Sequence, residues 1–322
     1  MSKKNALIYG FIGRQNFGDE LMLELHKEIL SKLGYDVYFT TNAMYFFHNI
    51  NNNYLHNDRI IKDHNNLNFD LILFGGGALP SYFGIDFLLK ARIEKPSIKI
   101  IGSSLNIFRE SRTHKLNFEI YNTIFDGLIF RQKIDEKTKG LLKIPNIFLP
   151  DVVTTLKYNS QIKEDKIALI IRDEINKIEN GIIIPDEPCE ILVMSKTDLK
   201  ILSNPLLANI PSRVIYEKPA KEQYRILKSY KKFISQGRFH AALCNKDDFE
   251  NNCYLYPFIE HSYKPYPNIK SWEDIKQFES IQHIEDTKKG MRTKTGEHAD
   301  NFYNYPSSSE IEYIDFIKSI VC

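Results

Sequence analysis

Short apolar runs alternate with amphipathic segments through the first half of the chain. The run ALIYGFIG is followed by DELMLELHKEILSKLG, whose apolar residues recur at helical spacing, and then by DVYFTT. Further apolar runs are DLILF, SIKIIGSS and DGLIFR, and the first of these stops at three glycines. Continuous apolar strands that alternate with helices are typical of a parallel sheet covered on both faces. The pattern therefore predicts a Rossmann-like, doubly wound α/β domain.

The second half repeats this pattern after a polar interruption. Residues 151–165, DVVTTLKYNSQIKED, lose the apolar periodicity, and KIALIIR then begins a new strand. CEILVMS, SRVIYE and KKFIS predict further strands, and KEQYRILKSY predicts a helix. The predicted domains are therefore 1–157 and 158–306, both Rossmann-like. The final run, 307–322, has serines ahead of amphipathic sequence and predicts a helix that packs back on the body.

We expect the two Rossmann-like α/β domains to face each other across a cleft. In doubly wound folds the ligand binds outside the carboxyl ends of the strands. Residues that directly follow a predicted strand are therefore the first candidates for a functional site.

Composition narrows the class of protein. The 322 residues include 43 Lys and Arg against 41 Asp and Glu, a formal net charge of +2, which argues against a protein that coats nucleic acid. The four cysteines form no CxxC pair, which predicts reduced thiols and no metal site. Gly10, Gly13 and Arg14 interrupt the first apolar stretch, and no apolar run approaches the roughly 20 residues of a spanning helix. We expect a cytoplasmic protein, with peripheral contact at the inner face of the membrane left open.

The first strand-to-helix turn, GFIGRQNFGDE, is rich in glycine. Its spacing is neither the GxGxxG of dinucleotide-binding turns nor that of a P-loop. Gly13 and Gly18 allow close approach to the backbone, and Asn16, Asp19 and Glu20 stand at the start of a helix. The functional interpretation places a ligand here. The structural alternative is that the two carboxylates only complement the helix dipole.

A triple glycine, Gly75, Gly76 and Gly77, ends the buried run DLILF. Each glycine weakens a strand end by about 0.5 to 1 kcal/mol relative to alanine. Three in a row therefore indicate that a ligand or a helix approaches the backbone closely.

Two strand ends in the second half carry cations. KKFIS predicts a strand and FHAALC a helix, so Gly237 and Arg238 lie in the turn between them, with His240 just inside the helix. A helix N-terminus, a guanidinium and an imidazole together favour an anion such as phosphate or carboxylate. Arg172 ends KIALIIR and is a second candidate cation. The alternatives are a surface arginine with a capping histidine, and for Arg172 a salt bridge to Asp173 or Glu174.

Three stretches, GFIGRQNFGDELM, DLILFGGGALP and FISQGRFHAAL, occur in this order with strand-end residues in FRQK, LPDVV and LIIRDE. Together they resemble the polysaccharide pyruvyltransferase family over about residues 6–265. The resemblance implies a GT-B-like fold and transfer of pyruvate from phosphoenolpyruvate onto a sugar of a cell-surface glycan precursor. Two hydroxyls of the sugar would be bridged as a ketal.

The resemblance also implies roles for individual residues. Protonating the methylene carbon of phosphoenolpyruvate needs an acid with a pKa near neutrality, as histidine provides, and the arginines would hold the carboxylate and the departing phosphate. The implied catalytic residues are His240, Arg238 and, as bases for the sugar hydroxyl, Asp19 and Glu20. The implied donor-binding residues are Arg172, Gly237, Arg238, His240 and Lys264, and the acceptor-side residues are Gly13, Asn16, Gly18, Gly75, Gly76 and Gly77.

The implied partners are phosphoenolpyruvate as co-substrate and a lipid-linked or nucleotide-linked sugar acceptor, with no covalently bound cofactor, metal or nucleic acid. The sequence departs from the family where residues 245–248 break the helix after His240, where Pro257 arrives late, and where Gly237 replaces a less flexible residue. Three alternatives therefore stay open: a GT-B glycosyltransferase with a nucleotide-sugar donor, a transferase of another phosphorylated donor, and a non-catalytic glycan-binding protein.

Overall fold

The structure of the chain is a computed structural model that divides into two compact units. Unit 1 comprises Met1–Arg14, Asp19–Thr155 and Pro306–Cys322, and unit 2 comprises Gln15–Gly18 and Leu156–Tyr305. The main division lies two residues before the expected boundary, whereas the grouping of Gln15–Gly18 with unit 2 was not expected from the sequence. The residues that the structure describes are 3–10, 13, 15–41, 68–78, 85–106, 115–131, 133–134, 136–157, 164–173, 175, 182–244, 252–255, 258–259, 262–263 and 306–322.

Unit 1 contains a six-stranded parallel sheet in the order β2-β1-β3-β4-β5-β6. After β1 the chain adds β2 on one side and then crosses to add β3 on the other side. The topological switch point of this sheet therefore lies between β1 and β3. The strands are β1 (Lys4–Gly10), β2 (Tyr35–Thr41), β3 (Leu71–Ala78), β4 (Lys99–Asn106), β5 (Gly127–Phe130) and β6 (Asn146–Phe148).

The strands of unit 1 form because their apolar residues are continuous and buried on both faces. Leu71, Ile72, Leu73 and Phe74 of β3 are each at most 1% exposed. An aromatic cluster that includes Phe74, Phe118, Tyr121, Phe125 and Phe130 fills one core of the unit. The helices between these strands are α1 (Phe17–Lys32), α2 (Ile85–Glu94), α3 (Lys115–Ile124) and α4 (Glu136–Leu141), and a 3-10 helix covers Val152–Thr155.

The C-terminal helix α7 (Glu310–Val321) belongs to unit 1. A capping box starts it, since the Ser309 side chain accepts from the Glu312 backbone while the Glu312 side chain accepts from the Ser309 backbone. Tyr313 and Ile317, one turn apart, are fully buried. The Tyr313 hydroxyl donates to the Pro150 carbonyl at 2.8 Å, which ties the helix to the chain after β6.

Unit 2 contains a five-stranded parallel sheet in the order β11-β10-β7-β8-β9. The chain adds β8 and β9 on one side of β7 and then crosses to β10 and β11. The switch point of this second sheet therefore lies between β7 and β10. The strands are β7 (Glu164–Ile171), β8 (Cys189–Val193), β9 (Ser212–Val214), β10 (Tyr230–Gln236) and β11 (Asn252–Leu255), with a hairpin of β12 (Phe258–Ile259) and β13 (Ser262–Tyr263).

Two elements of unit 2 differ from their predicted extents. The strand predicted over SRVIYE stops at Val214, because the N–H groups of Ile215 and Tyr216 both turn to the Val193 carbonyl. The helix predicted over KEQYRILKSY ends at Leu227, and Tyr230 already begins β10. The helices of the unit are α5 (Ala220–Leu227) and α6 (Phe239–Leu243), with 3-10 helices at Lys196–Ser203 and Pro205–Leu207. Across the parts of the chain described above, no helix is long and apolar enough to cross a membrane.

Candidate functional site

The switch point of the unit 2 sheet brings together two of the predicted strand ends. The Arg172 N–H, just after β7, donates to the Gln236 carbonyl at the end of β10 at 2.9 Å. Gly237 follows with φ +82°, the left-handed region that favours glycine, and a Cβ there would lie 3.0 Å from the Arg172 Cβ. Glycine is therefore required so that the chain can turn sharply against Arg172.

The Arg238 guanidinium is held by side chains of its own unit. Its Nε donates to Asp198 Oδ2 at 2.7 Å and its Nη2 to Asp198 Oδ1 at 2.6 Å, a bidentate ion pair. Nη2 also donates to the Thr197 hydroxyl at 3.1 Å, and Nη1 donates to Asn16 Oδ1 at 3.3 Å. Four hydrogen bonds to described side chains therefore fix this arginine. Asp198 occupies the Nε–Nη2 edge, one of the two edges through which a guanidinium binds a carboxylate bidentately.

Asp198 was not identified from the sequence. It lies in the 3-10 helix that follows β8, is 1% exposed, and also accepts from the Asp173 N–H at 3.0 Å. One buried carboxylate thus connects residues that follow β7, β8 and β10. The only signal in the sequence was the position of the residue five places after a buried strand.

His240 lies in the first turn of α6 and is half-buried. A Cβ added at Gly18 would overlap the His240 imidazole, so the missing side chain of Gly18 makes room for that ring. Helix α6 has only five residues, and the helix dipole depends on many aligned peptide groups. The helix dipole therefore adds little to the binding of an anion at this turn. The side chains contribute most of the attraction that the sequence predicts there.

Asn16 and Gly18 were expected on the acceptor side with the rest of the first domain. Instead they belong to unit 2, because Asn16 forms an antiparallel bridge with Ser195 and the Phe17 N–H donates to the Met194 carbonyl at 3.3 Å. Backbone pairing with the end of β8 therefore draws the turn Gln15–Gly18 to the donor-side residues. The structure thus groups these two residues with unit 2, and their role toward the acceptor stays a prediction.

Ser235 and Gln236 support the turn that carries Arg238. The Ser235 hydroxyl donates to the Arg238 carbonyl at 2.7 Å. The fully buried Gln236 amide exchanges two hydrogen bonds with the backbone of Ile183, at 2.9 and 2.8 Å. These contacts make the end of β10 rigid, and rigid supporting contacts are what a binding site requires.

The switch point of the unit 1 sheet is built from glycine. A Cβ at Gly10 would collide with the Gly75 carbonyl oxygen on the neighbouring strand. Gly76 has φ +78°, and a Cβ there would lie 2.8 Å from the Met22 Cε. Gly77 continues β3 and pairs with Leu105 of β4. The triple glycine therefore lets β1 and β3 lie close together and lets α1 pack closely on β3. It places no charged side chain at these strand ends.

Glu20 holds the first turn of unit 1. Its carboxylate is 1% exposed and accepts from the Gly13 N–H at 2.8 Å, where Gly13 has φ +78°. A buried carboxylate bonded to the backbone in this way stabilises the turn. Asp19, its neighbour in the first turn of α1, is half-buried.

Behind the glycines lies a buried histidine. His26 is 1% exposed, its Nε2 is 2.8 Å from the Ser103 hydroxyl, and its ring packs against Gly75. Burial lowers the pKa of His26 to about 4, and the nearby charge of Asp151 offsets only part of this effect. The ring is therefore uncharged at neutral pH. The next residue after Ser103, Ser104, has φ +54° at a point where the β4–β5 register shifts.

Arg131 and Asp151, the remaining strand-end residues of unit 1, form a buried ion pair. Arg131 Nη1 donates to Asp151 Oδ2 at 2.7 Å, and its Nε donates to Asn106 Oδ1 at 3.0 Å. Asp151 is fully buried and Arg131 is 6% exposed. The two charges neutralise each other inside the unit. Lys264, the last predicted donor-side residue, lies outside the described residues.

The two switch points differ in chemistry. Unit 2 offers cationic and imidazole side chains with partial exposure, and unit 1 offers glycine backbone. In the described segments no group of three or more metal-ligating side chains comes together.

The chain matches no protein-family model and no curated protein. Among solved structures it is similar to S. aureus MnaA, solved with UDP, at 10% identity and a TM-score of 0.50, covering 99% of this chain and 96% of that chain. It is also similar to a UDP-GlcNAc 2-epimerase from Methanocaldococcus jannaschii at 15% identity and a TM-score of 0.46, covering 94% and 98%. A third likeness is an alpha-glucosyltransferase solved with UDP and DNA, at 11% identity and a TM-score of 0.44, covering 99% and 100%.

The likeness to the S. aureus protein, together with the two parallel sheets, confirms the predicted fold class. The chain has two Rossmann-like α/β domains of the GT-B type. At 10% identity this likeness identifies the fold and not the reaction.

Proposed function

We propose that the chain is a GT-B enzyme that binds a nucleoside diphosphate sugar at the switch point of unit 2. The observation that carries the proposal is that Arg172 stands at this switch point while Asp198 occupies the Nε–Nη2 edge of Arg238. Phosphoenolpyruvate needs separate cations for its carboxylate and its phosphate. The diphosphate of a nucleotide sugar has no carboxylate and so does not need the edge of Arg238 that Asp198 occupies.

The chemistry of sugar transfer fits these residues. When the bond between the sugar and the diphosphate breaks, negative charge develops on the departing diphosphate, and a cation placed there stabilises the transition state. Arg172 takes this role in the proposal. His240, half-buried beside Gly18, is the residue that exchanges a proton with the bound ligand.

The glycine strand ends of unit 1 suit an uncharged ligand such as a sugar. Gly10, Gly75 and Gly76 bring backbone close to the surface of the sheet without adding charge. We assign the acceptor sugar to this side. The names of the solved neighbours, which include UDP, a UDP-GlcNAc 2-epimerase and a glucosyltransferase, support the donor class.

A ligand screen tests the proposal. The purified chain is heated with UDP, UDP-glucose, UDP-GlcNAc, phosphoenolpyruvate or inorganic phosphate, and the melting temperature is recorded. A ligand that binds only the folded state at 100 times its Kd stabilises that state by about 2.7 kcal/mol. We expect stabilisation by a UDP-sugar and none by phosphoenolpyruvate; stabilisation by phosphoenolpyruvate alone contradicts the proposal.

A second candidate function is pyruvyl transfer from phosphoenolpyruvate to a sugar. It is favoured by the placement of Arg172, Arg238 and His240, the residues that the family resemblance implies for the donor, around one switch point. Incubation with phosphoenolpyruvate and candidate glycosides then releases phosphate and adds pyruvate to the sugar. No turnover by the wild type would exclude this function, and equal turnover by the wild type and His240→Ala would exclude a role of His240 in it.

A further inference from the structure

The Asp198–Arg238 ion pair sets the charge of the unit 2 site. Asp198 is 1% exposed at its side chain and Arg238 16%, so the pair lies mostly buried with the guanidinium facing outward in part. The two nitrogen–oxygen distances, 2.6 and 2.7 Å, join a full negative and a full positive charge. The pair therefore acts on a ligand as a neutral, polar unit.

Asp198 is the buried carboxylate of this switch point. Asp198 accepts from Arg238 twice and from the backbone of Asp173 once. Without its carboxylate, the site would gain one unit of positive charge while Thr197 and Asn16 still hold the guanidinium. The charge that a ligand meets is thus controlled by a residue that need not touch it.

We propose that Asp198 determines ligand specificity: by neutralising Arg238 it restricts the unit 2 site to the diphosphate diester of a nucleotide sugar and excludes more highly charged phosphate monoesters. This inference rests on the proposed function of the same site. A nucleotide sugar carries about two negative charges, whereas phosphoenolpyruvate carries about three at neutral pH, because its monoester phosphate adds nearly two to the carboxylate.

The test is the substitution Asp198→Asn, which keeps the shape of the side chain and removes its charge. Binding of UDP-glucose and of phosphoenolpyruvate is measured by calorimetry at two salt concentrations. We expect the affinity for phosphoenolpyruvate to rise at least about tenfold, more at low salt, and the affinity for UDP-glucose to change less. An unchanged ratio of the two affinities in the folded variant overturns the inference.

Two further variants make the result specific. The double substitution Asp198→Asn with Arg238→Gln restores neutrality and should abolish the gain. Glu190→Gln removes another buried carboxylate at the amino end of β8 in the same unit, where it bonds to Tyr230, Lys166 and Arg213. It should leave the ratio unchanged, and a gain as large as that of Asp198→Asn would refute the inference.

If Asp198→Asn does not fold, Arg238→Gln tests the same inference, because it makes the site more negative instead of more positive. It leaves the negative charge of Asp198 without its partner, so the affinity for UDP-glucose should fall at least about tenfold. Unchanged affinity in that variant contradicts the inference.

A wild type that binds neither UDP-glucose nor UDP-GlcNAc contradicts the proposed function instead. The inference about Asp198 is then tested with inorganic pyrophosphate as the ligand. Its affinity must rise in Asp198→Asn and not in Glu190→Gln, and any other pattern overturns the inference.

Discussion

The switch points of the two sheets use polar residues in opposite ways. In unit 1 His26 is buried and uncharged, and Arg131 is buried and paired with Asp151. In unit 2 the corresponding residues Arg172 and His240 are partly exposed. We infer that residues of the first kind stabilise the fold, and we propose that residues of the second kind bind a ligand.

An arginine at the end of a strand is therefore not by itself a binding residue. Arg131 and Arg238 both follow strands closely, yet each is bonded to a buried aspartate. The identity of the partner decides the role, and that partner lies 20 or 40 residues away in the sequence. Substitutions whose effects on stability and on ligand binding are measured separately therefore test whether the two switch points differ.

The largest effect is expected from Asp151→Ala. This change leaves Arg131 buried with Asn106 but without its carboxylate, and breaking a buried ion pair costs about 3–5 kcal/mol. Urea denaturation followed by circular dichroism measures the loss, and hydrogen exchange assigns it to unit 1. Asp165→Ala, which removes the exposed partner of Lys231, is the control and should change stability little. Similar losses in both variants would contradict the structural role of the pair.

The pH dependence of stability should also separate the units. The folded pKa of His26, about 4, lies below its ordinary value of 6.5. As the pH falls from 6.5 to 4, the unfolded state takes up a proton that the folded state does not, so the free energy of unfolding decreases by about 3 kcal/mol. Denaturation at several pH values should show this decrease in the wild type and not in His26→Gln.

Glu190 of unit 2 affects the free energy of unfolding at lower pH than His26 does. Burial by itself would raise its pKa, but hydrogen bonds from Tyr230 and Lys166 and the charge of Arg213 hold it below the ordinary value. Its contribution is therefore present above pH 4.5 and is lost only below it. A loss between pH 6.5 and 4.5 that persists without His26 would contradict the assignment to unit 1.

A smaller effect is expected from the two closely packed glycines. Gly10→Ala pushes a methyl group against the backbone of Gly75, which cannot move aside, and overpacking of this kind costs about 1–3 kcal/mol. Gly18→Ala meets the His240 side chain, which can rotate, so it should cost less stability and weaken ligand binding instead. Thermal melting and ligand titration of both variants check this. Gly140→Ala, where no atom lies within 4 Å of an added Cβ, is the control.

Much of the fold could be predicted because parallel strands are continuous apolar runs. DLILF, KIALIIR and KKFIS each gave a strand within two residues of its observed start. The glycines were also informative, since Gly75, Gly76 and Gly237 stand at the two switch points. Short 3-10 helices such as Lys196–Ser203 have no such period, and none was predicted.

The partners of the site residues could not be predicted. Asp198 lies in a segment without periodicity and meets Arg238 only because β8 and β10 flank β7 in the folded sheet. Asn16 and Gly18 were placed with the strand before them, but backbone pairing with Ser195 groups them with unit 2. Contacts across many residues depend on the strand order, which the local pattern does not contain.

The smallest effect on stability, and the sharpest test of the comparison, is expected from Arg172→Gln. If Arg172 serves the ligand, its loss should change the free energy of unfolding by about 1 kcal/mol or less. Loss of a charge-assisted hydrogen bond to a diphosphate should weaken binding of UDP-glucose by about tenfold to a hundredfold. Denaturation and calorimetry on the same sample separate the two effects.

Arg213→Gln provides the matched control for Arg172→Gln. It removes the same charge from the same sheet at β9, where Arg213 bonds to Glu190 at 3.3 Å. Affinity for UDP-glucose should be unchanged in this variant. If Arg172→Gln lowers stability by as much as Asp151→Ala and leaves binding intact, the two switch points do not differ in kind. Arg172 would then be a structural residue like Arg131, and the assignment of the donor to unit 2 would lose its basis.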